Sequence, residues 1–281
     1  MHMVTKVFNS KEYRPKNKTE VIRIVQITDL HLFADKQQDL LGIKTWDSFQ
    51  AVVDAMQPDI VDADFILVTG DVSQDQSKAS YALACSVLDK LGKPVHILPG
   101  NHDVPQVMRA AMATQFIGVE NFLDFGSWHI LLLDSSIPHQ VSGHIDTTQL
   151  EQLKAHLAAY PDKFHLICLH HHPIEIQSHW LDAHRLKEGA LFLDELAQFK
   201  QVKSVLFGHI HQEFHARYAH FDLWATPATS VQFKPKAYDF TVDDVQPGYR
   251  IIELSAEGQI STSVKRIPDN RFQAVQAESG Y

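Results

Sequence analysis

A layered α/β fold with a mixed pair of sheets is predicted by three features of the chain. Short apolar runs rich in β-branched residues recur, segments of helical period lie between them, and the helical pattern stops after Gly208. The runs cover 21–27, 65–68, 95–98, 130–133, 164–169 and 205–207, each short enough for a buried strand. Phe49, Val52, Val53 and Met56 open the first helical stretch. Ala84, Val87, Leu88 and Leu91 mark the second, and Val107, Ala110 and Ala111 the third. Leu150, Leu153 and Leu157, then Leu191, Leu193, Leu196 and Phe199, mark the last two. Thr45, Ser77 and Thr147 sit where N-caps are expected, while Gly92, Pro94 and Pro161 mark exits. Beyond Gly208, segments 213–220, 221–224, 249–254 and 259–266 read as antiparallel strands that complete the sheets.

The 281 residues divide into an N-terminal arm, 1–20, a single domain, 21–268, and a C-terminal tail, 269–281, polar enough to fray. The arm is basic but lacks the continuous apolar segment of a signal peptide. The 25 basic and 34 acidic residues give a net charge of -9, which argues against broad electrostatic binding to nucleic acid or anionic membrane. No apolar run approaches membrane-spanning length. Cys85 and Cys168 fit buried hydrophobes rather than a disulfide, so the expected compartment is a reducing cytoplasm. Segment 232–248, with Pro235, Pro247 and three Asp, reads as a long surface excursion that either covers a pocket or meets a second subunit; a homodimer stays open.

The chemistry lies at the strand ends. Asp29-x-His31 follows Ile27, Gly70-Asp71 follows Val68 and Gly100-Asn101-His102-Asp103 follows Leu98; His170-His171-His172-Pro173 and Gly208-His209-x-His211 follow Leu169 and Phe207. Carboxyl ends of strands in an open α/β sheet converge on one crevice, so a shared site needs no long-range contortion. Carboxylate, imidazole and amide oxygen together suit iron, manganese or zinc better than calcium. Asp71 is the expected bridging carboxylate between two ions. Each piece alone has an ordinary reading as a turn or a capped loop; the ordered set carries the argument. His179, His184, His215 and His220 are read as solvent-facing or hydrogen-bonded, and Trp46 and Phe49 as helical core. Trp180, harder to bury, is a surface on which an adenine could stack.

In this order the motifs resemble the calcineurin-like metallophosphoesterase superfamily. His170 to Pro173, Trp180-Leu181-Asp182, Gly208 to Glu213 and Ala225 to Pro235 resemble, more narrowly, the bacterial class III 3',5'-cyclic AMP phosphodiesterases. The resemblance implies a four-layer α/β/β/α sandwich. It also implies two metal ions, iron or manganese or both with zinc admissible, one held by Asp29, His31, Asp71 and His211. The other would be held by Asp71, Asn101, His170 and His209. His170 best overlays the family's His-His-Pro-Pro-aliphatic pattern, with His171 the fallback; His172 and Glu175 depart from it. Substrate would lie against His31, Asp71, Asn101, His102, His170 and His211. His102 would protonate the leaving oxygen and Asp103 would orient it. The implied reaction is in-line attack of a metal-bound hydroxide on 3',5'-cyclic AMP to give 5'-AMP. The rivals are another phosphoester (a glycerophosphodiester, a nucleotide pyrophosphate or a phosphomonoester) and a non-catalytic metal-binding module.

Overall fold

The structure, a computed structural model, describes residues 10–12, 21–118 and 121–277. In chain order its strands are β1 (Ser10–Glu12), β2 (Ile22–Ile27), β3 (Asp39–Leu40), β4 (Ile43–Lys44), β5 (Phe65–Thr69), β6 (Val95–Leu98), β7 (Ile117–Gly118), β8 (Phe122–Phe125), β9 (Trp128–Leu132) and β10 (Phe164–Cys168), followed by β11 (Val202–Phe207), β12 (Phe214–Tyr218), β13 (Phe221–Ala225), β14 (Gly248–Leu254) and β15 (Ile260–Arg266). The helices are α1 (Thr45–Ile60), α2 (Lys78–Leu88), α3 (Pro105–Met112), α4 (Thr147–Ala159), α5 (His179–Asp182) and α6 (Gly189–Ala197). One sheet has seven strands in the order β1-β8-β9-β10-β11-β13-β12, the other six in the order β15-β14-β2-β5-β6-β7.

Side-chain alternation along the strands builds the four layers. Ile24, Phe65 and Leu67 of one sheet meet Ile130, Leu132 and Leu166 of the other in a dry inter-sheet core. Their neighbours point the other way. Val25, Ile66 and Val68 pack under α1, α2 and α3, while Leu131 and Ile167 pack under Leu153, Leu157, Phe192 and Leu196 of α4 and α6. Sandwiched sheets covered by helices on both outer faces are the architecture expected from the sequence. Two polar groups between the sheets are paired: Gln26 bonds Thr69 and Thr226, and the buried Arg250 donates to Thr226, Thr262 and the Ala225 carbonyl.

Local differences from the expected elements have simple causes. Ser77 caps α2 by accepting the Ser80 N–H, as predicted, but Thr147 is the first residue of α4 and the cap is Asp146, which accepts the Gln149 N–H at 2.8 Å. Thr45 likewise opens α1, whose N-cap Lys44 offers no side-chain bond. Of the arm, Ser10–Glu12 adds a parallel edge strand to β8, and its remaining positions fall outside the described residues. Residues 269–277, expected to fray, are hydrogen-bonded to the domain. Val275 N–H bonds the Leu41 carbonyl, Phe272 and Gln246 exchange two hydrogen bonds, and Gln276 does the same with Phe240 and Val242. The final 278–281 lie outside the described residues. Among the described residues no helix is long and apolar enough to cross a membrane.

Candidate active site

Parallel strands β2, β5 and β6 in one sheet and β10 and β11 in the other end at a common edge, and each delivers a polar loop there. Asp29, His31, Asp71, His209 and His211 all have φ between 48° and 68°. Non-glycine residues adopt this left-handed conformation at a cost of about 1–2 kcal/mol each, so five in one cluster are sustained by their surroundings. The surroundings are visible: Asp29 N–H bonds the Gly70 carbonyl, His31 N–H bonds the Asp71 carbonyl, and His209 N–H donates to the Asp29 carboxylate at 3.1 and 3.2 Å. A Cβ on Gly100 would collide with Oδ1 of Asp71, and one on Gly208 with Oγ1 of Thr28. Those two glycines let the loops close on the carboxylates.

Acceptors face acceptors throughout the cluster. His31, His170 and His211 donate Nδ1–H to Gln74 Oε1 (2.6 Å), the Thr69 carbonyl (2.7 Å) and the Val231 carbonyl (2.8 Å), which leaves a lone pair on each Nε2. Yet the Nε2 atoms of His31 and His211 lie 3.2 Å apart. Nε2 of His170 lies 3.1 Å from Asn101 Oδ1 and 3.2 Å from Asp71 Oδ2. Oδ2 of Asp71 is also 3.6 Å from His31 Nε2, and Asp29 Oδ1 is 3.4 Å from His211 Nε2. Nε2 of His209 is buried with no hydrogen-bond partner among the described residues. Lone pairs at these separations repel unless a cation or a proton lies between them, and this donor set of carboxylate, imidazole and amide oxygen fits divalent transition ions. The described clusters Asp29/His31/His211, Asp29/Asp71/His170 and His31/Asp71/His102 each bring ligand atoms within 4.8 Å of one another.

The electrostatics of the side chains are consistent with this. Burial raises the carboxyls of Asp29 and Asp71, but the neighbouring His211 and His170 outweigh it and hold Asp29 below, and Asp71 well below, the ordinary carboxylate value. Burial disfavours the charged form of His170, yet Asp71 and Asp29 bring its pKa up to about 9. Burial pulls His31 down to about 3 and His209 well below its usual value, so both keep neutral rings able to ligate.

The three consecutive histidines are told apart by their partners. His170 turns Nε2 into the cluster, whereas His171 is engaged at both nitrogens, by Ser135 Oγ at 2.8 Å and the Val141 carbonyl at 3.0 Å. His172 lies 3.6 Å from Asp182. Asp103 has partners that the sequence did not foresee. Its carboxylate accepts backbone N–H groups of Gly100, Val72 and Ser73 at 2.9–3.2 Å, tying the loop after β5 to the loop after β6. Burial, with Asp71 close by, raises the Asp103 carboxyl to about 7.

A cavity of about 400 Å³ opens over the cluster. His31, Asp71, Asn101, His102, His209 and His211 form its polar floor, while Trp180, Leu181, Phe233 and Phe240 form an apolar wall. His170, expected against substrate, is fully buried beneath this floor, and the cavity is lined by His209 instead. His184, read from sequence as outside the site, also lines the cavity. His179 and His215 stack on Tyr238 and Trp224, and His220 bonds the Phe199 carbonyl. Phe233 and Phe240 were not foreseen; they come from the 232–248 excursion, which therefore covers the pocket. Gln74, which anchors His31, and Val231, which anchors His211, were also missed, since a ring's outer partner leaves no spacing signal.

Residues 22–213 match the model of the calcineurin-like phosphoesterase family. The chain is 43% identical over 261 residues, 92% of its length and 95% of the relative's, to the 3',5'-cyclic adenosine monophosphate phosphodiesterase CpdA of Escherichia coli. It is 38% identical over 260 residues, again 92% and 95%, to the protein of the same name from Pseudomonas aeruginosa. Among solved structures, a dimetal phosphatase from Danio rerio superposes with a TM-score of 0.59 at 12% identity, covering 88% of this chain and 99% of its own. That likeness bears on the fold. With the strand-end ligand loops and the family match over most of the chain, the protein belongs to the calcineurin-like phosphoesterases.

Proposed function

We propose that the protein hydrolyses 3',5'-cyclic AMP to 5'-AMP at this site. The carrying observation is a cavity with a metal-ligating floor and an aromatic wall, suited to a phosphodiester joined to a nucleobase. Relatives that share 38–43% identity over nearly the whole chain and are named for this activity support the same substrate.

Asp29, His31, Asp71 and His211 would hold one metal ion and Asp71, Asn101, His170 and His209 the other, with Asp71 shared. Two such ions, iron or manganese foremost and zinc also suited, supply Lewis acidity and activate water at neutral pH. Water attacks phosphorus in line, a new P–O bond forms as that water gives up one proton to solvent, and the bond to O3′ breaks. His102, on the cavity floor with its ring 4.9 Å from that of His31, protonates O3′ as it leaves. Asp103 holds the His102 loop by its backbone bonds. Trp180, seated edge-on against Phe233 and Phe240 at 5.0 Å, presents the surface for adenine.

The test is product formation from cyclic AMP beside cyclic GMP, a glycerophosphodiester and an aryl phosphodiester, with iron, manganese and zinc supplied separately. Rapid conversion of cyclic AMP to 5'-AMP with weak action elsewhere is expected. Activity confined to the other esters would retain the metal centre and discard this substrate.

A further inference from the structure

A second group of imidazoles lies on the seven-stranded sheet, away from the active site. Asp124, His129 and His165 are direct cross-strand partners on β8, β9 and β10, so their side chains form one row on one face. Phe122, Leu131 and Ile167, which share their alternation, pack under α4, so this row faces that helix. His156, in the last turn of α4, comes down onto it. The ring centroids lie 5.1 Å (His129–His156), 5.4 Å (His129–His165) and 5.7 Å (His156–His165) apart. One ring nitrogen from each lies within 4.8 Å of the other two. His165 is five residues before His170, about 16 Å along an extended strand, so the two clusters are separate.

The outer nitrogen of His165 has an oxygen partner. His165 Nε2 lies 3.1 Å from the Tyr160 carbonyl and must donate to it, which makes Nδ1 a bare acceptor. That Nδ1 is buried and has no hydrogen-bond partner among the described residues. His129 Nδ1 lies 3.0 Å from His156 Nε2, while its Nε2 is buried, 3.7 Å from the Asp124 carboxylate and with no hydrogen-bond partner among the described residues. His165 thus has an oxygen behind the ring and a lone pair in front, the arrangement that fixes a metal-ligating imidazole. We propose that His129, His156 and His165 form a further metal site that takes one borderline divalent ion such as zinc and pins α4 to the sheet. Three imidazole nitrogens suit zinc, with nitrogen to metal distances of about 2.0–2.1 Å and a solvent molecule for the fourth position; small rotations of the rings close the observed spacing. Burial lowers the pKa values of all three rings, to about 3 for His129 and about 4 for His156 and His165, so they are neutral and able to ligate at pH 7.

Zinc bound at equilibrium to the full chain is the direct test, counted by elemental analysis in the wild type and in His156→Gln and His165→Gln. The wild type is expected to hold one equivalent more than either variant, with the affinity of that equivalent lowered at least about ten-fold by each change. Phosphoesterase activity should be unaltered in both. His156 is only partly buried, so its variant is expected to fold even if the His165 change does not. Zinc should also raise the melting temperature of the wild type beyond that of the variants. Equal zinc content in all three proteins, or an extra equivalent that persists in folded His156→Gln, would overturn the site.

Discussion

Oδ2 of Asp71 stands 3.2 Å from Nε2 of His170 and 3.6 Å from Nε2 of His31, at the point where the two halves of the ligand cluster meet. No other described carboxylate touches both halves so closely; the Asp29 carboxylate lies 3.9 and 4.0 Å from the same two nitrogens. Asp71→Asn keeps the shape and removes the charge. We expect both metals to be lost on gel filtration and kcat/KM to fall by more than about a hundred-fold, since even partners one step removed from a metal cost 10–100-fold. Two ions retained at full occupancy would place the bridge elsewhere.

Gly100 abuts the other oxygen of the same carboxylate. A methyl group there would press on Oδ1 and on the Asp71 backbone N–H, which lies 2.5 Å from the Cβ position. Backbone cannot swing aside as a side chain can, so Gly100→Ala should displace Asp71. The expected result is a folded protein that binds metal at least about ten-fold more weakly. Its far-ultraviolet spectrum should match the wild type, and unaltered metal affinity would show that the loop yields.

His102 is read as an acid, not as a ligand whose loss empties the site. His102→Ala should lower kcat by roughly 10²–10⁴-fold while metal content stays at two ions. The loss should shrink for a substrate with an activated aryl leaving group, which needs no proton. An equal loss for both substrates would assign His102 to binding instead.

Aromatic contact separates the cyclic nucleotide from simpler esters. Stacking of a base on an aromatic side chain contributes about 1–3 kcal/mol, so Trp180→Ala should raise KM for cyclic AMP by roughly ten-fold or more. KM for an aryl phosphodiester lacking a base should move far less. Parallel changes for both would make Trp180 a packing residue behind Phe233 and Phe240.

The sequence made the polar floor legible because each ligand sits directly after an apolar strand, at Ile27, Val68, Leu98, Leu169 and Phe207, where topology converges. It was less informative about the wall. Phe233 and Phe240 lie in a segment without period, and their approach to Trp180 depends on tertiary packing alone. Adjacency to His102 in sequence suggested a side-chain partner for Asp103, but it could not show that the turn also sends its carboxylate back to three backbone N–H groups. The cap of α4 moved one residue because Asp146 and Thr147 are both good caps and only the backbone angle decides between them. The row Asp124, His129 and His165 depends on strand register, which the apolar pattern alone does not reveal.

That row also has a consequence for acid stability. In the unfolded chain a histidine titrates near 6.5, whereas burial holds His129 near 3 and His156 and His165 near 4 in the folded protein. Between pH 6.5 and about 4 the unfolded state therefore binds more protons than the folded one, and stability falls as pH falls through this window. Above pH 6.5 both states are neutral at these positions and the effect vanishes. Each unit of separation corresponds to about 1.4 kcal/mol before screening, so the combined loss should be several kcal/mol. Denaturant unfolding of chelator-treated protein at pH 7, 6, 5 and 4.5 measures it. His165→Phe removes one titrating ring, so its stability should decline less steeply over the same range, by roughly 1–3 kcal/mol across the window. Identical slopes for the two proteins would mean that His165 is charged, or solvated, in the folded state.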